Sequence, residues 1–129
     1  MLSASPLIAF VPTLDANRAR AFYQHTLGLT LISQDSFAVV MDAHGTMLRI
    51  TTVPEFIPYP FTVLGWGVED IDSAVAGLAA KGVEFLRYSF LQQASNGVWT
   101  TPDGSAKVAW FLDPDGNTLS LSQHSPSAA

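Results

Sequence analysis

The chain contains no cysteine, and that absence removes disulfide bridges, thiolate metal sites and cysteine nucleophiles from consideration. Charge is scarce as well. Asp, Glu, Lys and Arg make up 13% of the 129 residues, and the formal net charge is −5. Such an acidic balance disfavours nucleic acid and anionic lipid, so neither is expected as a partner. The three glutamates, Glu55, Glu69 and Glu84, fall in a linker, beside a helix cap and early in a strand, where a solvated surface charge explains each. No apolar run approaches the roughly 20 residues of a membrane span. The first apolar run, Leu7 to Val11, has no basic region before it, so no secretory leader is expected and a cytoplasmic location is. Glycine-rich phosphate loops and the G-x-S-x-G elbow are also missing; Gly65-Trp66-Gly67 reads as strand interior.

What the chain does have is 48% hydrophobic residues, enough for one compact domain with its own core. Its most legible stretch runs from Trp110 to Ser122: an apolar strand, the turn Asp113-Pro114-Asp115-Gly116-Asn117, then Leu119 and Leu121 alternating with Thr118, Ser120 and Ser122. Pro114 suits the second position of a tight turn, and Gly116 and Asn117 tolerate positive φ. The alternation has the period of a half-buried strand. Further upstream, Pro6–Pro12 reads as a strand buried on both faces, and Asp15 caps a helix running to Leu27 with Ala19, Phe22, Tyr23 and Leu27 on one stripe. Gly28 stops it. Short strands follow at 29–33, 37–41 and 47–51, and Pro54–Pro60 reads as a linker. The order then repeats: strand 61–68, cap Asp70, helix 71–81, stop Gly82, strand 83–88. Asp15 maps to Asp70 and Gly28 to Gly82, offsets of 55 and 54. After that the second half carries about 17 extra residues, roughly 89–105, read as a loop and a strand 98–101 that turns into a strand 107–112. The tail 125–129 is small and polar and is expected to fray.

The closing hairpin, together with Asp15…Phe22-Tyr23…Leu27-Gly28 and Val68-Glu69-Asp70-Ile71-Asp72…Gly82-Val83, resembles the vicinal oxygen chelate superfamily of glyoxalases, bleomycin-resistance proteins and extradiol dioxygenases. The resemblance implies an α+β fold: two βαβββ units, about 6–53 and 61–124, forming a curved half-barrel mixed sheet with helices outside. It also implies a pairing of units within one chain or between two, hence an expected homodimer. In the family's metalloenzymes, His, Glu or Gln stand at matching positions on the first and last strands of each unit. Here those positions hold Ile8, Arg49, Val63 and Ser120, none of which offers the imidazole or carboxylate a divalent metal needs. His25, His44 and His124 share no ligand spacing. No metal and no cofactor are expected.

Other residues point to a ligand. Arg49 on the fourth strand either faces the concave side, where its planar fork suits a carboxylate or phosphate, or reaches solvent at a sheet edge and pairs with an acid. Pairing across the two hairpins sets Trp110 opposite Ser120 and Trp99 opposite Val108, all on one face. Phe10, with Tyr59 or Tyr88, adds aromatic wall, and Trp66 falls on the opposite face. Apolar walls with few polar anchors are typical of small-molecule pockets, although aromatic residues at strand period also make plain core. The expected function is therefore metal-free binding of a small aromatic ligand by Arg49, Phe10, Trp99, Trp110, Ser120 and Tyr59. Two alternatives stand beside it: a glyoxalase-related lyase, isomerase or dioxygenase-like enzyme with an unrecognised metal site, and a structural domain with a filled core.

Overall fold

A computed structural model describes residues 1–125; the last four positions of the tail, where fraying was expected, lie outside the described residues. The chain forms two compact units. The first comprises Met1–Tyr59 and the turn Asp113–Asn117; the second comprises Pro60–Leu112 and the described residues from Thr118 onward.

In the first unit, strands β1 (Ile8–Thr13), β2 (Thr30–Gln34), β3 (Ala38–Ala43) and β4 (Thr46–Thr52) form one mixed sheet in the order β1-β4-β3-β2. β1 runs parallel to β4, and the remaining pairs are antiparallel. Helix α1 (Ala16–Ala21) starts where the Asp15 carboxylate accepts the Arg18 backbone N–H at 3.1 Å. It covers the face that carries Val11, Thr13, Val39, Met41, Leu48 and Ile50, all fully buried. The other face is open: Ile8, Phe10 and Met47 are 43%, 61% and 41% exposed. β1 is thus buried on one face only, because the apolar run read as two-sided burial has a helix on just one side of it.

The expected helix does run to Leu27, but its second half is not α-helical. From Phe22 to Thr26 the chain widens into a π-helical turn, closed by the Leu27 N–H donating to the Phe22 carbonyl at 3.0 Å. Within that turn Tyr23 is fully buried, and its hydroxyl donates to the Asp113 carboxylate at 2.7 Å.

The second unit repeats the plan with β5 (Thr62–Gly67), α2 (Ile71–Ala80), β6 (Trp99–Thr100), β7 (Ala106–Leu112) and β8 (Thr118–His124) in the order β5-β8-β7-β6. Asp70 caps α2 by accepting the Ser73 N–H and hydroxyl at 3.2 and 2.9 Å, which holds its carboxyl below the usual carboxylate range. α2 buries Ile71 and Val75 on the side of the sheet that carries Ala109, Phe111, Leu119 and Leu121. Trp66 pairs with Leu121 on this side, as its parity required.

The strand expected at 83–88 is absent. Toward β7 the segment makes an isolated bridge, Phe85 to Phe111, with the Leu86 N–H donating to the Trp110 carbonyl. The outer edge of β7 is shared, with Phe85-Leu86 at one end and β6 at the other. The cause lies in Gln93. Its carboxamide accepts the Tyr88 N–H at 2.7 Å and donates to the Leu86 carbonyl at 2.8 Å. Those backbone groups would otherwise extend a ladder.

Candidate functional site

Each unit presents one open sheet face, and the expected site residues fall on these faces. On the first unit, Phe10, Arg49 and Val40 stand in one row across β1, β4 and β3. β4 lies between two strands, so Arg49 is not on an edge strand, and that alternative fails. Arg49 is half-buried, and no carboxylate lies within ion-pair distance of it among the described residues. Its positive charge does reach Asp35 in the β2–β3 turn. There the backbone N–H groups of Ala38 and Phe37 mainly hold the carboxyl low, and Arg49 adds to them. Tyr59 belongs to the first unit as well, in the linker, and is 63% exposed.

On the second unit, the registers Trp110 to Ser120 and Trp99 to Val108 are those the turns require. The Trp99 and Trp110 rings lie 6.1 Å apart, tilted by 34°. Tyr88, rather than Tyr59, completes the aromatic surface here: its ring meets Trp110 edge-on at 5.3 Å, and burial pushes its hydroxyl pKa up. Phe90 continues from Tyr88 at 5.4 Å. Tyr88 is one of the two tyrosines expected on the wall, whereas Phe90, in no regular strand, is not anticipated.

Beside Ser120 the first-strand neighbour is Gly65, not Val63. A bulge between Thr62 and Leu64 takes Val63 out of the ladder. A Cβ on Gly65 would lie 2.7 Å from the Ser120 Oγ and 3.3 Å from its carbonyl oxygen, so only glycine leaves Ser120 undisturbed. The row Gly65, Ser120, Trp110 thus sets a closely packed hydroxyl between a glycine and an indole.

These side chains do not fit a divalent metal. The first unit brings Ile8 or Phe10 beside Arg49, and the second brings Gly65 beside Ser120; one hydroxyl is the whole donor set at the second pair, and a guanidinium at the first repels a cation. Among the described residues no three His, Asp or Glu side chains converge. His44 occupies the β3–β4 turn with φ +50°, and the His124 ring lies 3.1 Å from the Ser122 hydroxyl.

The family model described as the Glyoxalase/Bleomycin resistance protein/Dioxygenase superfamily matches residues 7–121. The chain belongs to this superfamily. No curated protein matches the sequence. Among solved structures, the glyoxalase family protein from Enterococcus faecalis superposes with a TM-score of 0.71 at 21% identity, covering 95% of this chain and 99% of that one. The genomically encoded fosfomycin resistance protein FosX from Listeria monocytogenes gives 0.72 at 15% identity, with 95% and 94% covered. Lactoylglutathione lyase from Agrobacterium tumefaciens gives 0.69 at 15% identity, with 92% and 93% covered. At these identities the likeness shows the superfamily fold alone. Among the described residues, no helix is long and apolar enough to cross a membrane.

Proposed function

We propose that this superfamily member is a metal-free small-molecule binding protein, and that the open face of its second unit takes a planar ring. The observation that carries this is the Trp110 surface: an indole with Tyr88 edge-on at 5.3 Å and Trp99 tilted beside it, in register with Ser120. Half-buried aromatic rings beside a single polar anchor favour stacking of a ring whose one polar group reaches the hydroxyl. Arg49 serves, on the first unit's face, as an anchor for a carboxylate, phosphate or enolate oxygen, with Phe10 in the same row as apolar wall.

The alternative of a glyoxalase-related lyase or isomerase needs metal donors that Ile8, Phe10, Arg49, Val63, Gly65 and Ser120 do not supply. Elemental analysis of purified protein tests this directly: we expect less than about a tenth of an equivalent of zinc, iron, nickel or manganese, and near one equivalent would overturn the reading. Calorimetric titration with phenol, a neutral ring bearing one hydroxyl, tests the face itself. Binding in the wild type that is lost in Trp110→Leu supports it, and no binding, or binding indifferent to Trp110, defeats it. A homodimer is expected as well, because each sheet leaves two edge strands and the first unit exposes Ile8, Phe10 and Met47. Sedimentation at micromolar concentration would show a dimer, and a monomer would refute it.

A further inference from the structure

The extra residues of the second half form an irregular segment, yet they are held unusually firmly. The Gln93 side chain makes three bonds: to the Tyr88 N–H, the Leu86 carbonyl and the Gly97 carbonyl at 2.7, 2.8 and 2.7 Å. The Arg87 guanidinium donates to the carbonyls of Gln93, Ala94 and Ser95 at 3.1, 2.8 and 3.4 Å. Asn96 donates to Asp72 on α2 at 2.8 Å, and Gly97, at φ +94°, lies so close to Phe85 that a Cβ there would come within 2.9 Å. Surface loops seldom carry so many side-chain braces to their own backbone. What this one presents is uncharged, part apolar and part polar. Phe90 is 79% exposed, and with Leu91, Val98, Trp99 and Pro102 it lines a cleft of about 510 Å³. The polar side chains on the cleft, Gln92 and Thr100, carry no charge.

Trp99 belongs to both surfaces. It lies 6.1 Å from Trp110 on the open sheet face and also forms a wall of the cleft. We infer that the braced insertion is a preformed arm that extends the ring-binding face, so that the part of the ligand held by the second unit is elongated and uncharged: one ring at Trp110 and a second in the cleft against Phe90. This rests on the proposed ring-binding reading and adds the size and polarity of what is bound. A rigid apolar arm reduces the ordering cost of binding, which is the physical benefit of bracing a loop that buries little of its own. Gln93 is then a positioning residue that fixes the arm without touching the ligand.

Two neutral probes separate the levels. Phenol reads the Trp110 face, and 4-phenylphenol reads face and cleft together. By calorimetry the wild type should bind 4-phenylphenol about tenfold more tightly than phenol, as burial of a second ring implies. Phe90→Ala removes an exposed side chain, so the fold is kept. It should cut that ratio by about threefold or more, with any loss for phenol smaller than the loss for 4-phenylphenol. Gln93→Ala, which frees the arm and the Tyr88 N–H it holds, should lower affinity for both probes and lower it further for 4-phenylphenol. A ratio indifferent to Phe90→Ala, or an equal loss for both probes, overturns the arm while the ring-binding reading stands. Failure of phenol itself to bind overturns both.

Discussion

The two units share a ladder and differ in what they hang on it. At corresponding rows the first places Phe10 beside Arg49, and the second places Gly65 beside Ser120 with Trp110 across. Bulk and polarity have changed places. In one unit the outer strand carries the ring and the inner strand the charge; in the other the outer strand is stripped to glycine, and the ring sits on the far side of a small hydroxyl. Their closing turns diverge as well. The β3–β4 turn is a short reversal with His44 and Gly45 at φ +50° and +89°. The β7–β8 turn is a buried polar knot: the Asp113 carboxylate accepts from the Tyr23 hydroxyl, from both nitrogens of Asn117 and from the Asp115 N–H. Equal backbones thus support unequal chemistry, and the difference can be attacked at matched positions.

The largest effect should come from the two turns. Asp113→Ala strands a buried tyrosine hydroxyl and the Asn117 amide, and an unsatisfied buried group costs roughly 1–3 kcal/mol, so a loss of about 3 kcal/mol or more is expected. Gly45→Ala asks only for positive φ from a residue with a Cβ, roughly 1–2 kcal/mol. Urea denaturation of both variants measures the gap; equal losses would mean that the turns are interchangeable after all. Next is the charge. Arg49→Lys keeps the positive charge and loses the fork, so benzoate affinity should fall by about 1.5–3 kcal/mol. Stability should change by no more than about 0.5 kcal/mol, since no carboxylate pairs with Arg49 among the described residues. Benzoate binding untouched in Arg49→Ala would reduce Arg49 to a solubilising role.

A Cβ sharpens the contrast between the rows. Gly65→Ala collides with Ser120, and overpacking of this kind costs about 1–3 kcal/mol, partly recovered by adding Ser120→Gly. The matched change Phe10→Ala, at a side chain 61% exposed, should cost under about 1 kcal/mol. Thermal melts of the three variants decide whether the glycine is needed for space.

The smallest effect concerns two exposed turn aspartates. Asp103 is pulled from 3.8 to about 2, first by the Ser105 backbone N–H and then by the Ser105 and Thr101 hydroxyls. Asp35 is lowered mainly by the backbone N–H groups of Ala38 and Phe37. A folded pKa below the unfolded one means stability that is complete above about 3.8 and lost as pH falls toward 2. Melting temperature followed from pH 5 to pH 2 should fall less steeply in Asp103→Asn than in the wild type. Parallel curves would show that the turn's hydrogen bonds contribute nothing to folding.

Local chemistry explains which of these features the sequence made legible. The caps at Asp15 and Asp70, the stops at Gly28 and Gly82, and the registers that bring Trp110 to Ser120 and Trp99 to Val108 all follow from turn and period rules acting over a few residues. What escaped has distant causes. The Val63 bulge is an irregularity of pairing with β8, more than fifty residues away. The helical stripe turned Tyr23 inward, but the bond of its hydroxyl to a carboxylate 90 residues away has no helical signature. The missing strand at 83–88 yields to the carboxamide of Gln93, a group whose role in place of a neighbouring strand has no signature in composition or spacing. The same blindness hid Phe90, which follows Tyr88 on the braced segment.

The polar knot at Asp113–Asn117 bears on how this molecule can be divided. Although the turn joins two strands of the second unit, it packs as part of the first. There the Asn117 amide also reaches the Pro12 carbonyl, while Asp115 takes the Thr13 hydroxyl at 2.6 Å and Arg18 at 3.0 Å. A fragment ending at Tyr59 would keep every strand of its own sheet and still open a hole at the β1–α1 corner, with the Tyr23 hydroxyl left to water and the Thr13 hydroxyl to its local bonds with Asp15. The internal repeat invites cutting the gene in half, but the half that results is not a smaller version of the protein.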